Sequence, residues 1–60
     1  MFNVTVTQAQ YNTLRKKLSV RVSKEYTWHE YGVKYIDAVI GEPEQGYSKK
    51  IAKQVARLLA

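Results

Sequence analysis

Phe2, Val4 and Val6 alternate with Asn3, Thr5 and Thr7 at the start of the chain. A period of two predicts a short strand with one buried face. The pattern then changes at Thr7-Gln8-Ala9-Gln10, which has the spacing of a capping box, with Val6 and Tyr11 placed to pack as a hydrophobic staple. Tyr11, Leu14 and Leu18 follow at helical spacing while Arg15, Lys16 and Lys17 look outward. These signals predict a first helix from Gln8 to about Leu18.

Ser19 to Ile40 reads as sheet. Val20 and Val22 alternate with Arg21 and Ser23, then Tyr26, Trp28 and Glu30 take one face and Glu25, Thr27 and His29 the other. Tyr31-Gly32 is the predicted turn, because glycine supplies the positive φ of a tight hairpin. The return strand has Val33, Tyr35 and Val39 on one face and Ile36, Ala38 and Ile40 on the other, which suits a central position. Glu42-Pro43-Glu44-Gln45-Gly46 carries no period and is punctuated by proline and glycine, so it is a loop. Ser48 is a suitable N-cap for a second helix reaching Leu59. Ile51, Ala52, Val55, Leu58 and Leu59 form its apolar side, opposite Lys49, Lys50, Lys53 and Arg57.

The order is β-α-β-β-α. Burying both helical stripes is simplest with both helices on one face of a three-stranded antiparallel sheet, an α+β domain in two layers. Neither repeats nor an internal boundary divide the 60 residues, so 1–60 reads as a single small basic domain. A chain this short buries only about 60% of its unfolded surface. With no cysteine and one histidine, neither a disulfide nor a structural zinc site is available to reinforce it, and no cofactor is expected. The core must come from sheet and helices alone, or be completed in a homodimer.

Charge sharpens the picture. Ten Lys and Arg against five Asp and Glu give a formal net charge of +5, which favours an anionic partner. No apolar run approaches a bilayer span and Met1-Phe2-Asn3-Val4 lacks the features of a secretory signal, so the expected compartment is the cytoplasm, with no membrane partner. The second helix holds a conflict. Its N-terminus has positive dipole character, where acidic residues are preferred, yet Lys49 and Lys50 stand there with Lys53 one turn on. Free amides, the dipole and ammonium groups converge on one spot suited to phosphate.

Gly46-Tyr47-Ser48-Lys49-Lys50-Ile51-Ala52-Lys53-Gln54-Val55-Ala56 resembles the C-terminal segment of the double-stranded RNA-binding domain. The resemblance implies that Ser48 opens the helix, that Lys49, Lys50 and Lys53 contact phosphates across a major groove, and that Ala52 and Ala56 let the helix approach the sheet closely. It further implies minor-groove contacts from the first helix, where Gln8 or Gln10 fits, and from a hairpin loop, where His29 fits loosely. Arg57 extends the same basic side. The chain departs from that family in opening with a strand, in its short hairpin and in having no Gly-Pro before His29.

Tyr26, Trp28, Tyr31 and Tyr35 concentrate aromatic rings in one hairpin. Cross-strand packing accounts for Tyr26 and Tyr35, whereas Trp28 and Tyr31, near the turn, suit a partner contact as readily as packing. A lone His29 beside Glu25 or Glu30, with no nucleophile, oxyanion loop or metal set, does not make a catalytic constellation, so no enzyme is expected. Arg15-Lys16-Lys17 reads first as a favourable helix C-terminus and second as another basic patch. Glu42 and Glu44 count against phosphate binding if they lie close to Lys49. Two functions follow. The first is a non-catalytic nucleic-acid-binding module that recognises duplex shape and phosphates, with double-stranded RNA ahead of DNA. The alternative is a small protein-interaction or inhibitor module, of the kind encoded by compact genomes such as phages, using Trp28 and Tyr31 as anchors. An acidic protein would also satisfy the same lysines.

Overall fold

The structure is a computed structural model that describes residues 1–60. Its elements are β1 (Phe2–Thr7), α1 (Gln8–Lys17), β2 (Val22–Glu30), β3 (Val33–Ile40) and α2 (Lys49–Leu59). They form a three-stranded antiparallel sheet in the order β1-β3-β2, with both helices on one face. This is the two-layer α+β arrangement that the periodicities predict. β3, apolar on both faces, is the central strand.

Local chemistry starts each helix. At α1 the Thr7 hydroxyl accepts from the Gln10 amide at 3.3 Å, and the Gln10 side-chain oxygen accepts from the Thr7 amide at 2.9 Å. The two bonds satisfy two amides that the first turn leaves without helical acceptors. Val6 and Tyr11 are both buried, as a staple requires. At α2 the Ser48 hydroxyl accepts from the Ile51 amide at 3.3 Å.

The core lies between the sheet and the helices. Val6 of β1, Val22 of β2 and Ile36, Ala38 and Ile40 of β3 meet Tyr11, Leu14 and Leu18 from the first helix and its cap, and Val55 from the second. Leu14 and Ile36 are fully buried and mark its centre. Ile51, Leu58 and Leu59 are half-buried around it. Ala52 is half-buried, but Ala56 is exposed and does not mediate close packing of α2, contrary to what the resemblance implies.

Two local features differ from the sequence expectation. Val20 and Arg21 precede β2 instead of opening it. Val20 packs at the core edge and lines a cleft beneath Ile51 with Phe2 and Ile40. More consequential is a register shift between Lys24 and Tyr26 that leaves Glu25 as an extra residue. A bulge of this kind turns the following residues over relative to strict alternation. Lys24 stays on the helical side, its ammonium 5.1 Å from the centre of the Tyr11 ring, Glu25 takes the opposite face, and Tyr26, Trp28 and Glu30 join Glu25 there instead of continuing the face of Val22.

The hairpin closes through Tyr31 and Gly32, with φ of 52° and 77°. Two successive positive φ values define the primed turn whose twist matches the strands it joins. Gly41, at φ 93°, lies where β3 gives way to the loop, and its amide donates to the Arg21 carbonyl at 2.8 Å. The backbone angle calls for glycine, and a Cβ there would also press on the Gln45 side-chain oxygen at 3.1 Å.

Candidate nucleic-acid interface

Strand direction determines which ends meet. β1 runs from Phe2, opposite Ile40, to Thr7, opposite Tyr35. α1 leaves at the Tyr35 level and returns the chain to Val22, which also pairs with Ile40. β2 then climbs to the turn, β3 descends to Ile40, and α2 begins after the loop at the Ile40 level, where Ser48 and Ile51 line a cleft with Met1, Phe2 and Ile40. The C-terminus of α1, with Arg15, Lys16 and Lys17, and the N-terminus of α2, with Lys49, Lys50 and Lys53, therefore share one end of the molecule. The pairing gathers two basic runs that lie far apart in sequence.

Every charged residue on the two helices is a cation. Arg15, Lys16 and Lys17 on α1 and Lys49, Lys50, Lys53 and Arg57 on α2 are all exposed, and none forms an ion pair. The single salt bridge joins Arg21 to Glu42 at 3.3 Å. That bridge engages one of the two loop carboxylates nearest in sequence to the lysines, while Glu44 remains exposed without a partner. The loop is held down separately: the Met1 amino group donates to the Gln45 carbonyl, the Glu42 amide donates to the Gln45 side chain at 3.0 Å, and Tyr47 packs edge-on to Phe2 at 5.5 Å.

At the start of α2, Ser48 uses its hydroxyl for the Ile51 amide and its carbonyl for the Ala52 amide at 3.0 Å. The Lys49 and Lys50 amides make no hydrogen bond within the chain and point out of the helix end. Free donors and ammonium groups thus coincide, the combination that binds phosphate at helix N-termini.

The other candidate residues occupy the far end. Gln8 and Gln10 open α1 at the Tyr35 level, and His29 pairs with Lys34 close to the turn. By strand rise, these levels lie about 17–20 Å from the Ile40 end, where the lysines begin. Gln8 donates one of its two side-chain N–H groups to Asn12 at 2.9 Å, and the Gln10 oxygen belongs to the cap, which leaves the Gln10 amide nitrogen to donate elsewhere. His29 is exposed. These residues do not join Lys49, Lys50 and Lys53 in one cluster. Arg57, about two and a half turns after the α2 cap, lies between the two ends along the helical layer.

The aromatic candidates lie apart from this layer. Tyr26, Trp28 and Tyr35 stack in a row on the uncovered face of the sheet, with centroids 5.6 and 5.8 Å apart. Tyr35 and Trp28 are cross-strand partners and half-buried, whereas Tyr26 ends the row 63% exposed. Tyr31, at the hairpin tip, is 97% exposed and packs against nothing. No family model, curated protein or solved structure matched this chain.

Proposed function

We propose that the chain is a non-catalytic module that binds the phosphate backbone of a nucleic-acid duplex through its helical layer, at the end where α1 finishes and α2 begins. One observation carries the reading: both helices are free of acidic residues while all their cations are exposed and unpaired. A solubilising surface needs net charge, but mixed signs are stabilising on helix faces and acids are preferred at helix N-termini. Concentrating like charge here costs stability, and a polyanion would recover it.

The choice of duplex over single strand follows from the position of the rings. Single-strand binders stack bases on aromatic side chains beside a cationic groove. Here the row Tyr26-Trp28-Tyr35 lies on the face opposite the lysines and shares it with carboxylates, which repel phosphate. RNA ahead of DNA rests on the likeness of Gly46–Ala56 to the double-stranded RNA-binding domain.

Fluorescence anisotropy of labelled RNA and DNA duplexes across salt concentrations tests the reading. Binding should weaken linearly in log–log form with salt, the slope reporting the phosphates engaged. Changing Lys49, Lys50 and Lys53 together to Gln should remove most of the affinity and flatten the slope. Absent binding at low salt, or affinity indifferent to salt, refutes it.

A further inference from the structure

The face of the sheet that the helices leave uncovered has the opposite character to the helical layer. By register it presents Asn3 and Thr5 from β1, Tyr35, Asp37 and Val39 from β3, and Ser23, Glu25, Tyr26, Trp28 and Glu30 from β2. The face holds three carboxylates and not one lysine or arginine. Two of them, Glu25 and Asp37, converge on a single neutral donor: the Asn3 side-chain nitrogen donates to Glu25 Oε2 at 2.6 Å and to Asp37 Oδ1 at 3.1 Å. One amide shared by two carboxylates leaves their negative charge unbalanced within the chain. Beside them Thr5, Asp37, Tyr26 and Trp28 line an open hollow, carboxylate on one side and stacked rings on the other.

We propose that this hollow binds an arginine side chain presented by a basic segment of a partner protein. A guanidinium is planar, stacks on aromatic faces and carries several N–H donors at its edge that match carboxylate oxygens. The hollow supplies both elements side by side, the exposed ring of Tyr26 with Trp28 beside it and the acceptor from Asp37, with Glu25 adding further negative charge. The bulge is what brings Tyr26 and Trp28 onto the face of Glu25 and Asp37, since strict alternation after Lys24 would turn both rings toward the helices. Phosphate is repelled by these carboxylates. A symmetric face-to-face pairing with a second copy sets Glu25, Glu30 and Asp37 against their own images, an arrangement that like charge opposes. The proposal is independent of the nucleic-acid reading, because the two surfaces lie on opposite sides of the domain.

The test is an NMR titration of the isotope-labelled full chain with a short acetylated, amidated Gly-Arg-Gly peptide, run beside the same peptide carrying citrulline, which keeps the shape and lacks the charge. The expected result is saturable shifts at the Trp28 indole and the Tyr26 and Asp37 amides, absent with citrulline. Asp37→Asn, which preserves volume, and Tyr26→Ser, at an exposed position, should each abolish the response while the rest of the spectrum stays folded. No saturable shift, an equal response to citrulline, or binding that survives both substitutions would overturn the proposal. So would shifts at the same residues that grow with protein concentration without peptide, which assign the face to a second copy. Added duplex RNA should leave these signals unmoved and shift the Lys49–Lys53 amides, so either surface can fail without the other.

Discussion

Asn3 on β1 and Glu25 on β2 stand on opposite edges of the sheet, yet the Asn3 amide reaches across the central strand to the Glu25 carboxylate at 2.6 Å. Glu25 reaches the uncovered face by alternation after Lys24, and the irregularity that follows brings Tyr26 and Trp28 to the same face. The hydrogen bond also marks how charge is divided in this domain, with acids among the aromatic rings on one side and unpaired cations on the helices of the other.

Gathering Arg15, Lys16 and Lys17 at the lysine end of α2 has a measurable consequence. Replacing the three by Gln should lower the salt dependence of duplex binding by about 0.9 in slope for each phosphate that is no longer engaged. Lys34→Gln, remote from that end, should leave the slope unchanged. Anisotropy titrations at several salt concentrations distinguish the two. Equal effects would mean that net charge, not position, drives binding.

Tyr31 adopts φ 52° at a position where asparagine or glycine is preferred. Its side chain is almost wholly exposed and packs against nothing, so no packing offsets the strain. Tyr31→Asn should therefore raise stability by about 0.5–1 kcal/mol in urea denaturation. A fall in stability would show that the tyrosine ring makes a stabilising interaction in solution.

The two caps differ in what they hold. Thr7→Ala removes the hydroxyl half of a reciprocal pair and should cost about 1 kcal/mol, detectable as a lower urea midpoint. Ser48→Ala removes a single bond at α2 and should cost no more than that. A larger effect at Ser48 would mean that the α2 end is the more strongly coupled to the fold.

Ile36 is fully buried on the central strand, facing the helices. Ile36→Ala should destabilise by about 3 kcal/mol through reduced burial and the cavity left behind. A domain of this size has little more than that in reserve. Disappearance of a cooperative thermal transition by circular dichroism is the expected outcome, and a transition retained within a few degrees would place the core's centre elsewhere.

Both helix starts, the hairpin turn and the central place of β3 were legible in the chain, because each depends on neighbours within a few residues. Thr7 and Gln10 cap across three positions, Tyr31-Gly32 needs only its own backbone angles, and the two apolar faces of Val33–Ile40 require cover on both sides. The lysines of α2 were likewise visible as a basic helix start. Tertiary structure alone decided how these parts meet. The passage of α1 over the sheet sends β2 to the far side of β3, and so brings Arg15–Lys17 to Lys49 while separating Gln8, Gln10 and His29 from it. Periodicity continued Tyr26, Trp28 and Glu30 on the parity of Val22, which is the wrong face, since a bulge is set by pairing with a partner strand and leaves no mark on alternation within its own. The separation of charge onto two faces is a long-range property for the same reason: a residue's sign is written locally, but the surface it joins depends on strand order, register and which side of the sheet the helices cover.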